Sequence, residues 1–409
     1  MKVAIIGAGP AGCSAAWFLK KKGIHDIVVY DREPHPGGCA RTNFIENIPY
    51  EFGPQILFSD RKDLRAVFES FLTNTPPPSP DKRYRYLVSL TEKLDAVFDF
   101  PITPATILKL PNAEEILWEL YNVNLEKPDR TSFESYAISR VGPSLYKAFM
   151  ENYNRKAWQM EPREMDTDWV QFRPIKLSRK GARFDDQWQG HPGNYNPMWE
   201  GMLEGVRLER AECSVDQNFR YCADDSPIEA DLIVTTMPLS ERLAFVDTFL
   251  AYVLVKGTQT RLPAAFVTFP NAYRFVRVFE YKQQFMVESD YTLISFDFPC
   301  KGNADVDGFM AEARAFCRDI LASEIQDSFY IHKKRVYPSA TRSNSALFEA
   351  CLDEIVDKPV VPIGRGGMHA YCSKDTVVRM GMECADHVEE LLDPKRKRAR
   401  ILEMRKDLH

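Results

Sequence analysis

The 409-residue chain has no Cys-x-x-Cys pair. Its nine cysteines are odd in number and scattered, which argues against a disulfide framework or a zinc site and for reduced thiols in a cytoplasm-like compartment. The seven histidines show no metal-ligand spacing, so no metal is expected. No apolar run is long enough to cross a bilayer, and no membrane is expected as a partner. Met1-Lys2 leads straight into a strand-like segment and leaves no room for a signal peptide, which again points to the cytoplasm. Positive charge is not in excess: the net charge is −5, which gives no reason to expect nucleic acid. No internal repeat is present, so solenoids and propellers are excluded. The chain is rich instead in aromatic residues, with 26 Phe, 17 Tyr and 6 Trp, and it is long enough for two or three domains.

The first forty residues are the most readable. Val3 to Ile6 is a short apolar run, as expected of a parallel strand buried on both faces. Gly7, Gly9 and Gly12 follow as G-x-G-x-x-G. The next segment buries Ala15, Ala16 and Leu19 at helical spacing and ends near Gly23. A second apolar run, Ile27 to Tyr30, closes on Asp31, 19 residues after Gly12. A carboxylate about 20 residues on is where an adenosine ribose is held. Gly7 allows the tight turn, Gly9 lets backbone approach a pyrophosphate, and Gly12 lets helix and strand pack closely, with the helix N-terminus facing the phosphates. The unit predicts a dinucleotide site but does not choose between NAD and FAD.

The next stretch, "REPHPGGCART", narrows that choice. Gly37-Gly38 followed by Arg41-Thr42 resembles the second FAD fingerprint of amine-oxidase-like flavoproteins, in which a basic side chain reaches the pyrophosphate; Gly38 and Arg41 are the candidates here. "EADLIVTTMPL" (229–239) reads as an acid-led strand returning to such a domain. "DKPVVPIGRGG" (357–367) reads as a strand into a glycine turn which, by the same resemblance, brings Gly364 and Arg365 close to the flavin. No second G-x-G-x-x-G with its acid is present, so a dedicated nicotinamide domain is not expected.

The fold class expected is α/β, with a discontinuous Rossmann-like FAD-binding domain (1–73, 197–255 and 338–409). A helical insertion domain (74–150) and an antiparallel-sheet substrate domain (151–196 and 256–337) complete it. "NTPPPSPDKRYRY" (74–86) is a polyproline-prone connector. Residues 112–121 and 132–158 have helical spacing, and Ser132, with Ser135 three residues on, is a start signal. From 261 to 298 short alternating runs predict antiparallel strands. The basic tail "DPKRKRARILEMRK" reads as a solvated terminal helix.

Four segments, in order along the chain, resemble the UDP-galactopyranose mutase family. The first runs from Val141-Gly142 and Leu145-Tyr146 to Tyr153 and Trp158. The second is "FDDQWQGHPGNY", with Phe184, Asp186, Trp188, Gln189-Gly190, Pro192 and Tyr195. The third is Arg277, Glu280 and Lys282, and the fourth "GRGGMHAY", with Arg365 and Tyr371. The resemblance implies a pyranose–furanose mutase acting on a nucleotide-diphosphate sugar, with FAD active in its reduced form and its N5 as the nucleophile at the anomeric carbon. It assigns Arg277 and Lys176 to the diphosphate, Tyr153 and Trp158 to the base, Tyr337 and Tyr371 to phosphate, and Trp188 and Tyr195 to the slot beside the flavin. Trp199, on the helix that Asn196 caps and Pro197 starts, is expected in the core.

Three departures bear on the substrate. The family's flavin-side histidine loop reads Gly53-Pro54-Gln55 here, a family arginine is Lys176, and a family acid is Ser373. Alternatives are an amine-oxidase-like FAD oxidoreductase and a catalytically inert flavoprotein that binds a nucleotide sugar. NAD(P)H or another external reductant, and a homo-oligomer, are left open as partners.

Overall fold

The computed structural model describes residues 1–72, 86–123, 126–167, 188–190, 193–285 and 287–406. The Pro-rich connector up to residue 85, and Lys176, Phe184, Asp186 and Pro192, lie outside the described residues.

Five parallel strands build the first layer, in the order Val360–Pro362, Leu232–Thr235, Val3–Ile6, Ile27–Asp31, Arg207–Arg210. Val3 pairs with both Leu232 and Ile27, so the first strand is central. All four of its residues are buried, as a strand covered on both faces requires. The helix Pro10–Lys21 follows directly and buries Ala11, Ala15, Ala16 and Leu19. This sheet draws strands from three distant stretches, so the domain is discontinuous, and the α/β class read from the sequence is borne out.

The second layer is a seven-stranded sheet. Its order is Ile325–Pro338, Phe245–Lys256, Tyr291–Cys300, Arg277–Glu280, Phe266–Thr268, Tyr86–Ser89, Val97–Asp99. Every neighbouring pair is antiparallel except Phe266–Thr268 with Tyr86–Ser89, which is parallel. Two segments fall elsewhere than expected. Residues 245–255, assigned to the cofactor domain, form the second strand of this sheet, paired on both sides. One side of that strand (Phe249, Ala251, Val253) packs in one core and the other (Leu250, Tyr252, Leu254) in another. Burial on both faces removes the alternation that marks a half-exposed strand. Within residues 86–99, assigned to the helical insertion, Tyr86–Ser89 pairs with Phe266–Thr268 far along the chain and Val97–Asp99 adds the edge strand beside it.

The helical insertion comprises Pro104–Ile107, Ala113–Asn122, Phe133–Leu145 and also Asn152–Trp158, which was expected in the substrate domain; Tyr146–Glu151 bridges the last two as a π-helical turn. Ser132 starts the third helix as expected, its Oγ accepting the Ser135 N–H. The helix breaks at Gly142, whose φ is +80°. A Cβ there would lie 2.7 Å from Glu119 Oε2, and Glu119 receives both the N–H and the hydroxyl of Ser144 beyond the break. The glycine and the buried acid thus turn the chain toward Tyr153 and Trp158.

Two smaller expectations are corrected. Asn196 does not cap its helix: its side-chain amide exchanges hydrogen bonds with the backbone of Thr42, tying the helix to the Arg41-Thr42 segment. The basic tail is a helix, Pro394–Lys406, but it is docked. Lys397, Ile401 and Met404 are buried, and Lys397 Nζ donates to the carbonyls of Ile355 and Lys358. Trp199 is core, fully buried. No described helix is long and apolar enough to cross a membrane.

Candidate functional site

The glycine loop has the geometry its sequence implies. Gly7 sits at φ +99°, a conformation that other residues adopt at a cost. A Cβ on Gly12 would lie 1.8 Å from the Gly7 carbonyl oxygen, whereas one on Gly9 would meet nothing within 4 Å. Gly12 is therefore fixed by the protein's own packing, and Gly9 faces open space. The N–H of Ala8 donates to Asp31 Oδ2 at 2.6 Å, and the N–H of Glu33 donates to Oδ1. Gly37 donates its N–H to the Ala8 carbonyl, and Gly38 packs on Gly9. The second glycine pair is thus brought against the first. Arg41 is half-buried nearby, directed at the Pro36 carbonyl.

Away from this loop, two clefts meet at one wall. One lies between the cofactor domain and the large sheet, edged by Gly53, Gln55, Arg365, Ser373 and Lys374. The other lies between the sheet and the helical insertion, edged by Phe149, Tyr153, Trp158 and Asp297. Including the open space at their mouths they span about 950 and 960 Å³. Tyr86, Arg277, Tyr337 and Tyr371 line both.

Arg277 is the centre of the wall. Its side chain is 15% exposed and is paired with Asp297, 4% exposed, at 2.5 Å. The two stand directly opposite each other on adjacent strands, where cross-strand charges reinforce pairing. Arg277 Nη2 also donates to Tyr337 Oη at 2.9 Å. Burial works against the guanidinium's charge, but Asp297 outweighs it and the pKa rises well above the ordinary value. Asp297 Oδ1 is buried without a hydrogen-bond partner.

Arg365 lines only the first of the two clefts. It donates to the Cys372 carbonyl and lies 5.4 and 5.0 Å from the ring centroids of Tyr337 and Tyr371. Trp158 stands edge-on to both rings, at 6.2 and 5.3 Å. Two cations, one carboxylate and a set of rings thus enclose a space suited to an anion joined to a flat group.

The structure brings Arg277, Arg365, Tyr337, Tyr371, Trp158, Tyr153, Gly53 and Gln55 together around the two clefts. Gln55 Nε2 donates to the Phe52 carbonyl, holding the Gly53 turn. Gly364, ahead of Arg365, is buried beside Ala11. Tyr195 stands behind the wall: it is fully buried, with its hydroxyl donating to the Gln55 carbonyl. The backbone of Trp188 lies on a short strand, Trp188–Gly190, paired with Leu57–Ser59. The Arg277, Glu280, Lys282 motif divides. Glu280 receives the N–H groups of Arg261 and Leu262, and Lys282 donates to the carbonyls of Ser289 and Tyr291. Both knit loops, and Arg277 faces the clefts.

Sequence reasoning missed Asp297, Glu51 and Lys374. Asp297 left a readable signal, a lone charge inside the apolar run Tyr291–Cys300. Glu51 and Lys374 acquire their meaning from contacts between distant segments. Among the described residues no cluster of His, Cys, Asp and Glu could hold a metal ion.

Comparison with known proteins agrees with this geometry. Residues 5–71 match the family described as an NAD(P)-binding Rossmann-like domain, and residues 148–310 match the family of UDP-galactopyranose mutase. A dTDP-fucopyranose mutase of Escherichia coli is 26% identical over 216 residues, covering 51% of this chain and 55% of that protein. A probable UDP-galactopyranose mutase of Klebsiella pneumoniae is 26% identical over 220 residues, covering 51% and 54%. The match thus spans about half the length of these curated relatives. A crystal structure of reduced UDP-galactopyranose mutase superimposes with a TM-score of 0.83 at 18% identity, covering 99% of this chain and 98% of that one. The likeness to that family read from the sequence is borne out, and the fold is shared over nearly the whole chain.

Proposed function

We propose, from the mutase-family match and the fold that carries it, that this chain is a flavin-dependent mutase. It would interconvert pyranose and furanose forms of a sugar attached to a nucleoside diphosphate. The observation that carries the reading is the common wall: a cleft beside the dinucleotide loop and an aromatic cleft meet at Arg277, Tyr337 and Tyr371. Cofactor and substrate can therefore face each other across a cation. The names of the two relatives, one a dTDP-sugar and one a UDP-sugar mutase, put pyrimidine nucleotides first.

The residues present fit FAD. Gly9 presents bare backbone where a Cβ would project into open space, and Lys374 Nζ is a buried amine without a hydrogen-bond partner at the edge of the cleft lined by Gly53 and Gln55. Gly7, Gly9, Gly12, Asp31, Gly38 and Arg41 would hold the dinucleotide end; Gly53, Gln55, Gly364 and Arg365 would hold the ring end. Reduced FAD bound there supplies a nucleophile, its N5, for the anomeric carbon of the sugar.

The protein's own part is position and charge. Arg277 holds the diphosphate as leaving group and keeps it near for its return, and Asp297 and Tyr337 fix the guanidinium's direction. Trp158 and Tyr153 offer ring faces to the base. Arg365 places a second cation on the cofactor side of the same wall.

The test is to offer dTDP-, UDP- and GDP-sugars to dithionite-reduced protein and look for the furanose product. Turnover that consumes oxygen and oxidises the substrate would replace the mutase with an oxidase.

A further inference from the structure

Lys374 and Glu51 are two further buried ionisable groups, each within electrostatic reach of the other, apart from the Arg277–Asp297 ion pair. Lys374 is the first residue of the helix Lys374–Asp386 and borders the cleft lined by Gly53, Gln55 and Arg365. Its Nζ is shut off from solvent, has no hydrogen-bond partner, and lies 3.3 Å from the centroid of the Tyr195 ring. Tyr195 is pinned in place: its hydroxyl donates to the Gln55 carbonyl, and its N–H donates to Thr42 Oγ1. Thr42 in turn donates to Glu51 Oε1. Glu51 has no exposure, and its Oε2 is also without a hydrogen-bond partner. An amine nitrogen at the cleft and a carboxyl oxygen behind it, both buried without hydrogen-bond partners, are costly for the fold alone.

We propose that Lys374, coupled to Glu51, is the charge-compensating group of the ring-binding cleft, taking up a proton when the bound flavin is reduced. This rests on the flavin reading given above. The balance is as follows. A two-electron donor of the hydride class, or dithionite, supplies two electrons. One proton goes to the flavin ring, which is left with one negative charge. A second proton, from solvent, goes to the Lys374–Glu51 pair, so the cleft gains no net charge. The reduced form, the one the mutase reaction needs, is thereby favoured.

Burial pushes the Lys374 amine down to about 7 against the pull of Glu51. Burial likewise pushes Glu51 up to about 8, against Lys374 and the Thr42 hydrogen bond. The pair is therefore poised at neutral pH, and a new negative charge beside it raises both affinities for protons. Arg277 and Arg365 are held charged by their neighbours against burial. Burial raises Tyr195 far above its usual range, Tyr337 to about 12 and Cys372 to about 11. Asp297 is raised by burial but paired with Arg277, and Asp375 is raised by burial but hydrogen-bonded to Ser373.

The experiment is the midpoint potential of the FAD-loaded protein between pH 7 and 9, followed by visible absorbance. The wild type should take up two protons per two electrons, a hundredfold change in the reduction equilibrium per pH unit, or about 60 mV. Lys374→Met should take up one, about 30 mV per pH unit, and should be harder to reduce at every pH in the window. Lys374→Arg, which keeps a permanent charge, should be as easily reduced as the wild type at pH 7 but show the shallower slope. A wild-type slope of one proton would overturn the inference on its own, whatever becomes of the variants. So would a Lys374→Met protein, loaded with FAD, that kept the wild-type potential and slope. Failure of the wild type to bind FAD would overturn the flavin reading itself, an outcome distinct from binding with the shallow slope.

Discussion

The dinucleotide loop and the wall between the clefts are built on opposite principles. The loop is made of backbone: Gly7, Gly9, Gly12 and Asp31 lie within one strand–helix–strand unit, and what matters is the absence of side chains. The wall is made of side chains from distant segments: Trp158 from the helical insertion, Arg277 and Tyr337 from the sheet, Arg365 and Tyr371 from the cofactor domain. A backbone site works by shape and tolerates little; a side-chain wall divides its work among several groups and yields by degrees. The loop should therefore fail all at once when altered, and the wall should fail in proportion to the charge and contacts removed.

The loop can be broken in two separable ways. Gly12→Val should have the largest effect of any change considered, because its Cβ would lie 1.8 Å from the Gly7 carbonyl oxygen. A loss of roughly 4–5 kcal/mol or more is expected, read as insoluble protein or a collapsed urea midpoint. Gly9→Val should do the reverse. Gly9 has φ −74° and ψ −177°, extended backbone that valine accepts, and open space around its Cβ. The unloaded protein should fold with nearly unchanged stability while FAD affinity drops at least about 100-fold, roughly 3 kcal/mol. Retained FAD content in Gly9→Val would sink the assignment of this loop to the pyrophosphate.

The same contrast explains what could be read in advance. The strand–helix–strand unit is local, so its spacing and its periodicity lie side by side in the sequence, and it was legible to the residue. The helical insertion was nearly so, because three- and four-residue spacing is also local. The strand Phe245–Lys256 was not: with both faces buried it reads as a continuous apolar run and was placed in the wrong domain. Tyr86–Ser89 was missed because its partner, Phe266–Thr268, lies far along the chain. At the site, the family resemblance singled out Arg277 but not Asp297. Its companions Glu280 and Lys282 proved to serve loops, so a motif shared as a unit need not act as one. Glu51 and Lys374 are unremarkable in sequence, and only their burial near each other, Lys374 at the cleft, marks them.

Arg277→Ala tests the wall where it carries most charge. A hydrogen-bonded cation facing a leaving diphosphate contributes about 2–4 kcal/mol, so kcat/KM should fall about 30- to 1,000-fold. FAD content should hold. Stability should fall as well, by about 3–5 kcal/mol, because Asp297 is left as an unpaired buried carboxylate. Adding Asp297→Asn should recover much of that stability and none of the rate. If the double variant recovered the rate, Arg277 would be a structural partner of Asp297 and no part of the reaction.

The smallest change is the most discriminating. Tyr337→Phe removes one hydroxyl, the acceptor for Arg277 Nη2 at 2.9 Å, and leaves the ring beside Trp158, Tyr371 and Arg365. If the hydroxyl serves only to aim the guanidinium, the loss should be that of one hydrogen bond, about 0.5–1.5 kcal/mol, or about 2- to 10-fold in kcat/KM. Thermal stability and FAD content should be nearly unchanged, since the ring packing is kept. The division between kcat and KM then locates the hydroxyl's work. A misaimed Arg277 weakens the hold on the departing diphosphate, and kcat falls. A hydroxyl that also touches a phosphate of the bound nucleotide contributes before and after bond breaking alike, and KM rises with kcat held. A loss as large as that of Arg277→Ala would contradict a graded wall, because removing a partner would then cost as much as removing the charge it orients.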